Sequence, residues 1–293
     1  MGVIAQGRRR IATARTPSEV PAAERRWLLY VLLLLGLVLA AGPFVWMLLG
    51  SLKSQSELQR LPPTWWPEDA SLDNFRRLFD RVDFLHFGWN SVVVATVVTA
   101  SNLLFCSMLG YALAKLEFFG KNKLLLLVLA TVMVPGSVLL VPQFVLIAKL
   151  DLVNTFAALI LPTAVGAFGV FLMRQAMQSI PDELLEAGRI DGAGEFYLFF
   201  RVVLPLVVPT MATLGILVFL GSWNNFLWPL VVSTDEDKYT LPVALAIFTR
   251  GEYQADYGLL MAGSVVLVLP VLVLFILLQR YFRQGIATTG LKG

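Results

Sequence analysis

Residues 179–209, SIPDELLEAGRIDGAGEFYLFFRVVLPLVVP, hold the densest set of chemically useful side chains in this sequence. Ser179, Pro181 and Asp182 form a helix-start signal, with acidic groups at the positive end of the helix dipole. The helix beginning near Pro181 carries Leu184, Ala187, Gly188 and Asp191 at i, i+3, i+4 and i+7. One face therefore joins an apolar anchor to two residues without bulk, and another surface can approach it closely. Gly192 stops this helix, a second short helix carries Phe196, Tyr197, Phe199 and Phe200, and Pro205 marks entry into the next apolar run. The chemistry offered is close non-covalent docking. A second group, Trp223, Asn224 and Asn225, lies inside an apolar run and joins aromatic faces to amide donors and acceptors. That pairing suits a polyhydroxylated solute moving past protein, and equally suits amides bonding a neighbouring helix. Asn102 belongs to a stripe of Ala95, Thr99, Asn102, Cys106 and Gly110, for which close helix packing is the commoner reason.

Covalent and nucleotide chemistry find no footing. Gly120-Lys121 runs into Asn122 and lacks the upstream glycine of a GxxxxGK[ST] phosphate loop. No catalytic His, Cys or carboxylate pair stands out, so the chain reads as a non-enzyme with no cofactor and no metal. Cys106 is the one cysteine, which excludes an internal disulfide, and His86 reads as solvated or interfacial. The net charge of +3 does not signal nucleic acid, because the basic residues fall in short clusters between apolar runs.

The elements that must position these groups are set by composition. Apolar side chains make up 57% of the chain, charged ones 15%, and the mean hydropathy is +0.74, which points to the bilayer as solvent. Six runs without Asp, Glu, Lys, Arg or His lie at 28–50, 89–113, 124–148, 152–173, 206–232 and 259–278. Each is long enough to cross, since about 20 helical residues span roughly 30 Å of hydrocarbon. They lack the period-two alternation of barrel strands, so the expected fold is all-α, with six transmembrane helices. With both ends inside, the inner segments carry 15 of the 23 Lys and Arg residues and the outer ones 8. The positive-inside rule then puts both termini, and 179–209, in the cytoplasm.

The absence of carboxylates and histidines from the runs removes the usual signal of the alternative reading, an ion-coupled carrier or channel. Pro135, Pro142, Pro209 and Pro270 are candidate bending points within them. The expected organisation is a basic tail at 1–27, a membrane domain at 28–282 that includes the loop 179–205, and a tail at 283–293. The first run exceeds the roughly 7–15 residues of a signal-peptide core and reads as a retained helix. The loop 51–88, with Pro62, Pro63, Trp65, Trp66 and Pro67, offers its rings either to headgroups or to an external partner.

Glu186-Ala187-Gly188, three residues, Gly192, nine residues, Val202, one residue and Leu204-Pro205 resembles the EAA motif of ABC importer permeases. Gly188 stands for the motif's second alanine and Val202 for its isoleucine. Ser51-Leu52-Lys53, Asn90-Ser91, Tyr111-Ala112-Leu113, Asn154-Thr155, Leu161-Pro162 and Trp223-Asn224-Asn225-Phe226 extend the resemblance. So do Tyr239-Thr240-Leu241-Pro242, Gln279-Arg280-Tyr281-Phe282 and Lys292-Gly293. Together they are similar to the carbohydrate-uptake class, of maltose and glycerol-phosphate type, over about residues 44–293. The resemblance implies a type I importer fold in which the loop holds a coupling helix seated in a cleft of an ATP-binding subunit. Glu186 and Asp191 would belong to that contact, Ala187, Gly188 and Gly192 would permit the fit, and Leu204 and Pro205 complete the motif. It further implies a sugar-importer subunit in the bacterial inner membrane. Its partners would be a second homologous permease, two ATP-binding subunits and an external solute-binding protein. Lys292 and Gly293 would reach the ATPases, and the acidic loop 233–257 would face the binding protein. Asn102, Trp223, Asn224 and Asn225 are the candidates for the translocation path.

Overall fold

The computed structural model describes residues 22–81, 83–249 and 256–289, and every regular element among them is helical. The chain divides into two units, 1–46 and 47–293. The first is described by most of helix α1 (Ala22–Ser51), whose side chains from Trp27 to Leu39 are exposed and largely Leu and Val, as suits a helix surrounded by hydrocarbon.

In the second unit, short helices α2 (Gln55–Leu58) and α3 (Asp73–Arg81) precede the long α4 (Phe84–Lys115). There follow α5 (Lys121–Val132), α6 (Gly136–Lys149), α7 (Phe156–Ile160), α8 (Ala167–Gln178) and α9 (Glu183–Ile190). The chain continues through α10 (Glu195–Tyr197), a π-helical turn (Leu198–Val203), α11 (Leu204–Leu206), α12 (Val208–Trp223), α13 (Leu227–Val232), α14 (Leu241–Phe248) and α15 (Tyr257–Thr289).

Helices α1, α4 and α15 are each long and apolar enough to cross a membrane alone. Three further candidates are bent pairs: α5 with α6 at 103°, Phe156–Thr163 with α8 at 45°, and Glu195–Leu206 with α12 at 81°. Counting each pair as one span gives six. The runs at 124–148 and 152–173 are therefore broken, the first at the expected bending point Pro135, and the 81° bend falls at Val207, at the start of the run 206–232 and two residues before the expected bending point Pro209. Proline disfavours helical backbone at the residue before it, here Val134, and Pro135 is itself extended at ψ 131°, so the chain turns there. Pro209 occupies the first turn of α12, just past the bend, where a missing N–H costs little. Pro142 and Pro270 lie inside α6 and α15, which continue through them.

Helix α4 packs against both α8 and α12. Cys106 and Gly110 of the small-residue stripe form the seam with α8, while Ala95 and Thr99 lie toward α12: a Cβ on Gly110 would lie 2.8 Å from both the Arg174 backbone nitrogen and Met173 Cβ. A Cβ on Gly169 would meet Cys106 Sγ at 2.9 Å. Beyond the other end of α4, polar side chains pin the connections. Buried Asn74 donates to Ser51 O at 2.8 Å and Lys53 O at 2.7 Å, and Arg77 pairs with Asp256 at 2.7 Å. The Thr64 hydroxyl bonded to buried Glu57 holds that carboxyl below its usual range.

Candidate functional site

The helix expected near Pro181 is α9, with Asp182 at its N-cap. The Asp182 carboxylate makes no capping bond; it accepts from Lys115 Nζ at 2.6 Å, and the same ammonium donates to Ile180 O at 2.5 Å. That bond and the Lys115 charge hold the Asp182 carboxyl below the ordinary carboxylate range. At the far end, Ala193 N–H donates to Gly188 O at 2.9 Å and Gly192 N–H to Arg189 O at 3.0 Å, with Gly192 at φ 83°. This is a Schellman stop, and the left-handed position is the reason for glycine there.

The inward anchor of α9 is Leu185, 1% exposed, whereas the spacing had suggested Leu184, which is 48% exposed. Both are leucines, and only the approach of the returning helix decides which one is covered. Gly188 turns inward too: a Cβ there would meet the fully buried Leu198 at 2.5 Å, so its lack of bulk serves an internal contact. Glu186, Ala187, Ile190, Asp191 and Gly192 are exposed and form the outward knob. Leu204 is half-buried and Pro205 exposed in the first turn of α11. The π-helical turn before them directs Leu198, Phe199 and Val203 into the core.

Glu195 opens the returning segment and joins three elements. Its Oε1 accepts from Arg189 Nε of α9 at 2.7 Å, and its Oε2 accepts from the Tyr111 hydroxyl of α4 at 2.6 Å. Tyr111, Lys115, Arg189 and Glu195 were not singled out as a group from the sequence. Tyr111 and Glu195 lie 84 positions apart, Lys115 and Asp182 lie 67 apart, and no local spacing links them. The available signal was the six-residue separation of Arg189 and Glu195 across the Gly192 turn.

The four candidate path residues do not form one site. Asn102, 2% exposed, donates to Thr163 O at 2.7 Å and Val98 O at 3.0 Å and accepts from Gly166 N–H at 2.9 Å, bridging the break before α8. Trp223, also 2% exposed, ties α12 to α15 through Nε1 and Leu267 O at 3.1 Å. Asn224 donates back to Leu220 O at 3.0 Å, and Asn225 Oδ1 accepts from Trp228 N–H at 3.4 Å at the start of α13. Asn102 and Asn225 do meet at one cavity of about 180 Å³, which Thr163 and Ser222 also line.

The polar residues that marked the resemblance act as loop clamps. Asn90 donates to Asp237 O at 2.9 Å and Tyr239 O at 3.0 Å, and the Ser91 hydroxyl accepts from Leu241 N–H at 2.8 Å. Asn154, at φ 60°, accepts from the Thr234 and Asp235 amides at 3.1 Å each. His86 Nε2 lies 3.0 Å from Asp237 O. Among the described residues there is no cluster of His, Cys, Asp or Glu that could hold a metal. Lys292, Gly293 and Glu252 lie outside the described residues, as do 1–21 of the N-terminal tail.

Residues 107–288 match the family described as "Binding-protein-dependent transport system inner membrane component". The chain is 43% identical to the arabinooligosaccharides transport system permease protein AraQ of Halalkalibacterium halodurans, over 91% of this chain and 96% of that one. It is 35% identical to the lactose transport system permease protein LacG of Rhizobium radiobacter, over 87% and 93% respectively. The crystal structure of a bacterial ABC transporter involved in alginate import shares the fold, with a TM-score of 0.78 at 22% identity, covering 91% of this chain and all of that one.

Proposed function

The chain belongs to the family of binding-protein-dependent transport system inner membrane components, as a permease subunit of an ABC importer, and we propose how it works. Its cargo is a sugar or sugar-like solute, supported by relatives named for arabinooligosaccharide and lactose transport. The observation that carries the reading is the α9 knob, with Glu186, Ala187, Ile190 and Asp191 exposed on a helix closed at Gly192. Glu186 and Asp191 supply polar contacts to an ATP-binding subunit, Ala187 and Gly192 leave room to seat it, and Gly188 sets the knob's shape from behind. Leu204 and Pro205 redirect the chain toward the membrane.

Two ATP-binding subunits hydrolyse the nucleotide, with Lys292 and Gly293 reaching them. A second homologous permease completes the pore, and an external binding protein delivers the solute. Both termini and α9 face the cytoplasm, a reading supported by the excess of Lys and Arg in the segments placed there. Closure of the ATPases then shifts the permeases between two states open to opposite sides. The cavity edged by Asn225 and Ser222, with Asn102 holding its wall, carries no ionisable side chain in its lining and suits a neutral hydroxylated solute.

The test is reconstitution of the complete complex in liposomes with its binding protein and labelled lactose or arabinooligosaccharide. ATP should drive uptake, and Ala187→Arg should abolish it and weaken retention of the ATPase. Uptake driven by an ion gradient without ATP would overturn the proposal in favour of a carrier.

A further inference from the structure

We infer that α4, rather than the helices covalently joined to α9, carries the motion of α9 into the membrane; this rests on reading α9 as the coupling helix. Both covalent routes are jointed. A four-residue connection, Ser179, Ile180, Pro181 and Asp182, separates α8 from α9, and an 81° bend separates Glu195–Leu206 from α12. The polar ties run to α4 instead. Lys115, 4% exposed, bonds Ile180 O and Asp182 just ahead of α9. Tyr111 bonds Glu195 just behind it, and Glu195 holds Arg189 within it. Positions 111 and 115 are i and i+4 on one helical face, so a single turn of α4 grips α9 at both ends. Between the two grips, Leu185, Leu198, Phe199, Tyr111 and Leu113 share one buried cluster, which Met173 and Met177 of α8 and Leu214 of α12 also enter, so it is the polar ties that single out α4.

From that turn α4 runs without a break through 32 residues, past the Gly110 seam and Asn102 to Val94 and Val98 at the cavity wall. At about 1.5 Å per residue, the distance from Tyr111 to Val98 is roughly 20 Å. An unbroken helix packed along its length passes on a displacement, whereas a bend lets the two halves move separately. Tyr111, Lys115 and Glu195 are therefore positioning residues for transport.

The test uses the complete reconstituted complex and measures solute taken up per ATP hydrolysed. Tyr111→Phe removes the bond to Glu195 and keeps the ring, whose centroid lies 5.4 Å from that of Phe199. Lys115→Met removes the other grip. Each variant should retain its ATPase partner and its hydrolysis while the ratio of solute to ATP falls about fivefold, the effect of losing roughly one net hydrogen bond. A wild-type ratio in both variants, or a loss of hydrolysis and uptake in equal proportion, would overturn the inference. A wild-type complex without ATP-driven uptake would instead remove the reading of α9 on which it stands.

Discussion

Alanine at Gly110 places a methyl group where two helices already touch. The new Cβ would lie 2.8 Å from the Arg174 backbone nitrogen and from Met173 Cβ, and 3.0 Å from the Met173 carbonyl carbon. Ordinary carbon contacts sit at about 3.5–4.0 Å, so α8 must retreat by roughly 0.7–1.2 Å. Two of the three crowded atoms are backbone, and no change of rotamer relieves them. Overpacking of this kind costs about 1–3 kcal/mol, while alanine returns up to about 1 kcal/mol in helix propensity. Gly88→Ala, in the same helix with nothing within 4 Å of its Cβ, supplies the propensity gain without the clash, so the pair isolates the packing cost. Cys106, the one cysteine in the sequence and 0% exposed, lies one turn from Gly110 on the same seam and reports its opening. Under conditions where closing outpaces labelling, a thiol-reactive dye reacts in proportion to the open population. Even one to two kcal/mol raises that population about 5–30-fold, so Gly110→Ala should label faster than Gly88→Ala by that factor. Equal labelling rates would refute the close approach of α4 and α8.

Three further outcomes follow from the same geometry. The Asp182 carboxyl is held below its unfolded value of about 3.9, so the Lys115 tie stabilises the fold fully above that value and is lost as pH falls through the lowered one. Thermal unfolding between pH 7 and pH 3 should therefore cost the wild type more than Asp182→Asn, and parallel profiles would contradict the tie. Gly192→Ala meets no atom within 4 Å yet forces a side chain to φ 83°, which costs about 1–2 kcal/mol; Gly192→Asn should cost less in the same melting assay. Asn102→Leu leaves the Gly166 N–H and the Thr163 carbonyl without their side-chain partner, at about 0.5–1.5 kcal/mol for each bond lost, measured by loss of melting temperature in detergent.

The outward half of α9 and its stop at Gly192 were legible because they depend on neighbours in the chain. Glycine accepts a left-handed backbone wherever it stands, and a knob built over two turns has its spacing written into ten residues. The same is true of the membrane itself, since runs of about 20 uncharged residues must be surrounded by something other than water. Neighbouring Trp223, Asn224 and Asn225 were not legible as separate roles. Successive helical residues turn about 100°, and the chain breaks after Trp223, so three adjacent side chains meet three different surroundings.

Which prolines break a span was likewise undecided in one dimension. Pro135 stands between two helices while Pro142 and Pro270 are carried through inside theirs, so the residue type alone does not say where the backbone turns. Thus local backbone preference and transfer from water settle from sequence alone that this is a six-run helical membrane chain with an exposed helical knob. The choice of Leu185 over Leu184, the inward turn of Gly188 and the Tyr111–Glu195–Arg189 tie belong to tertiary structure, since each depends on an element far along the chain arriving at a particular face.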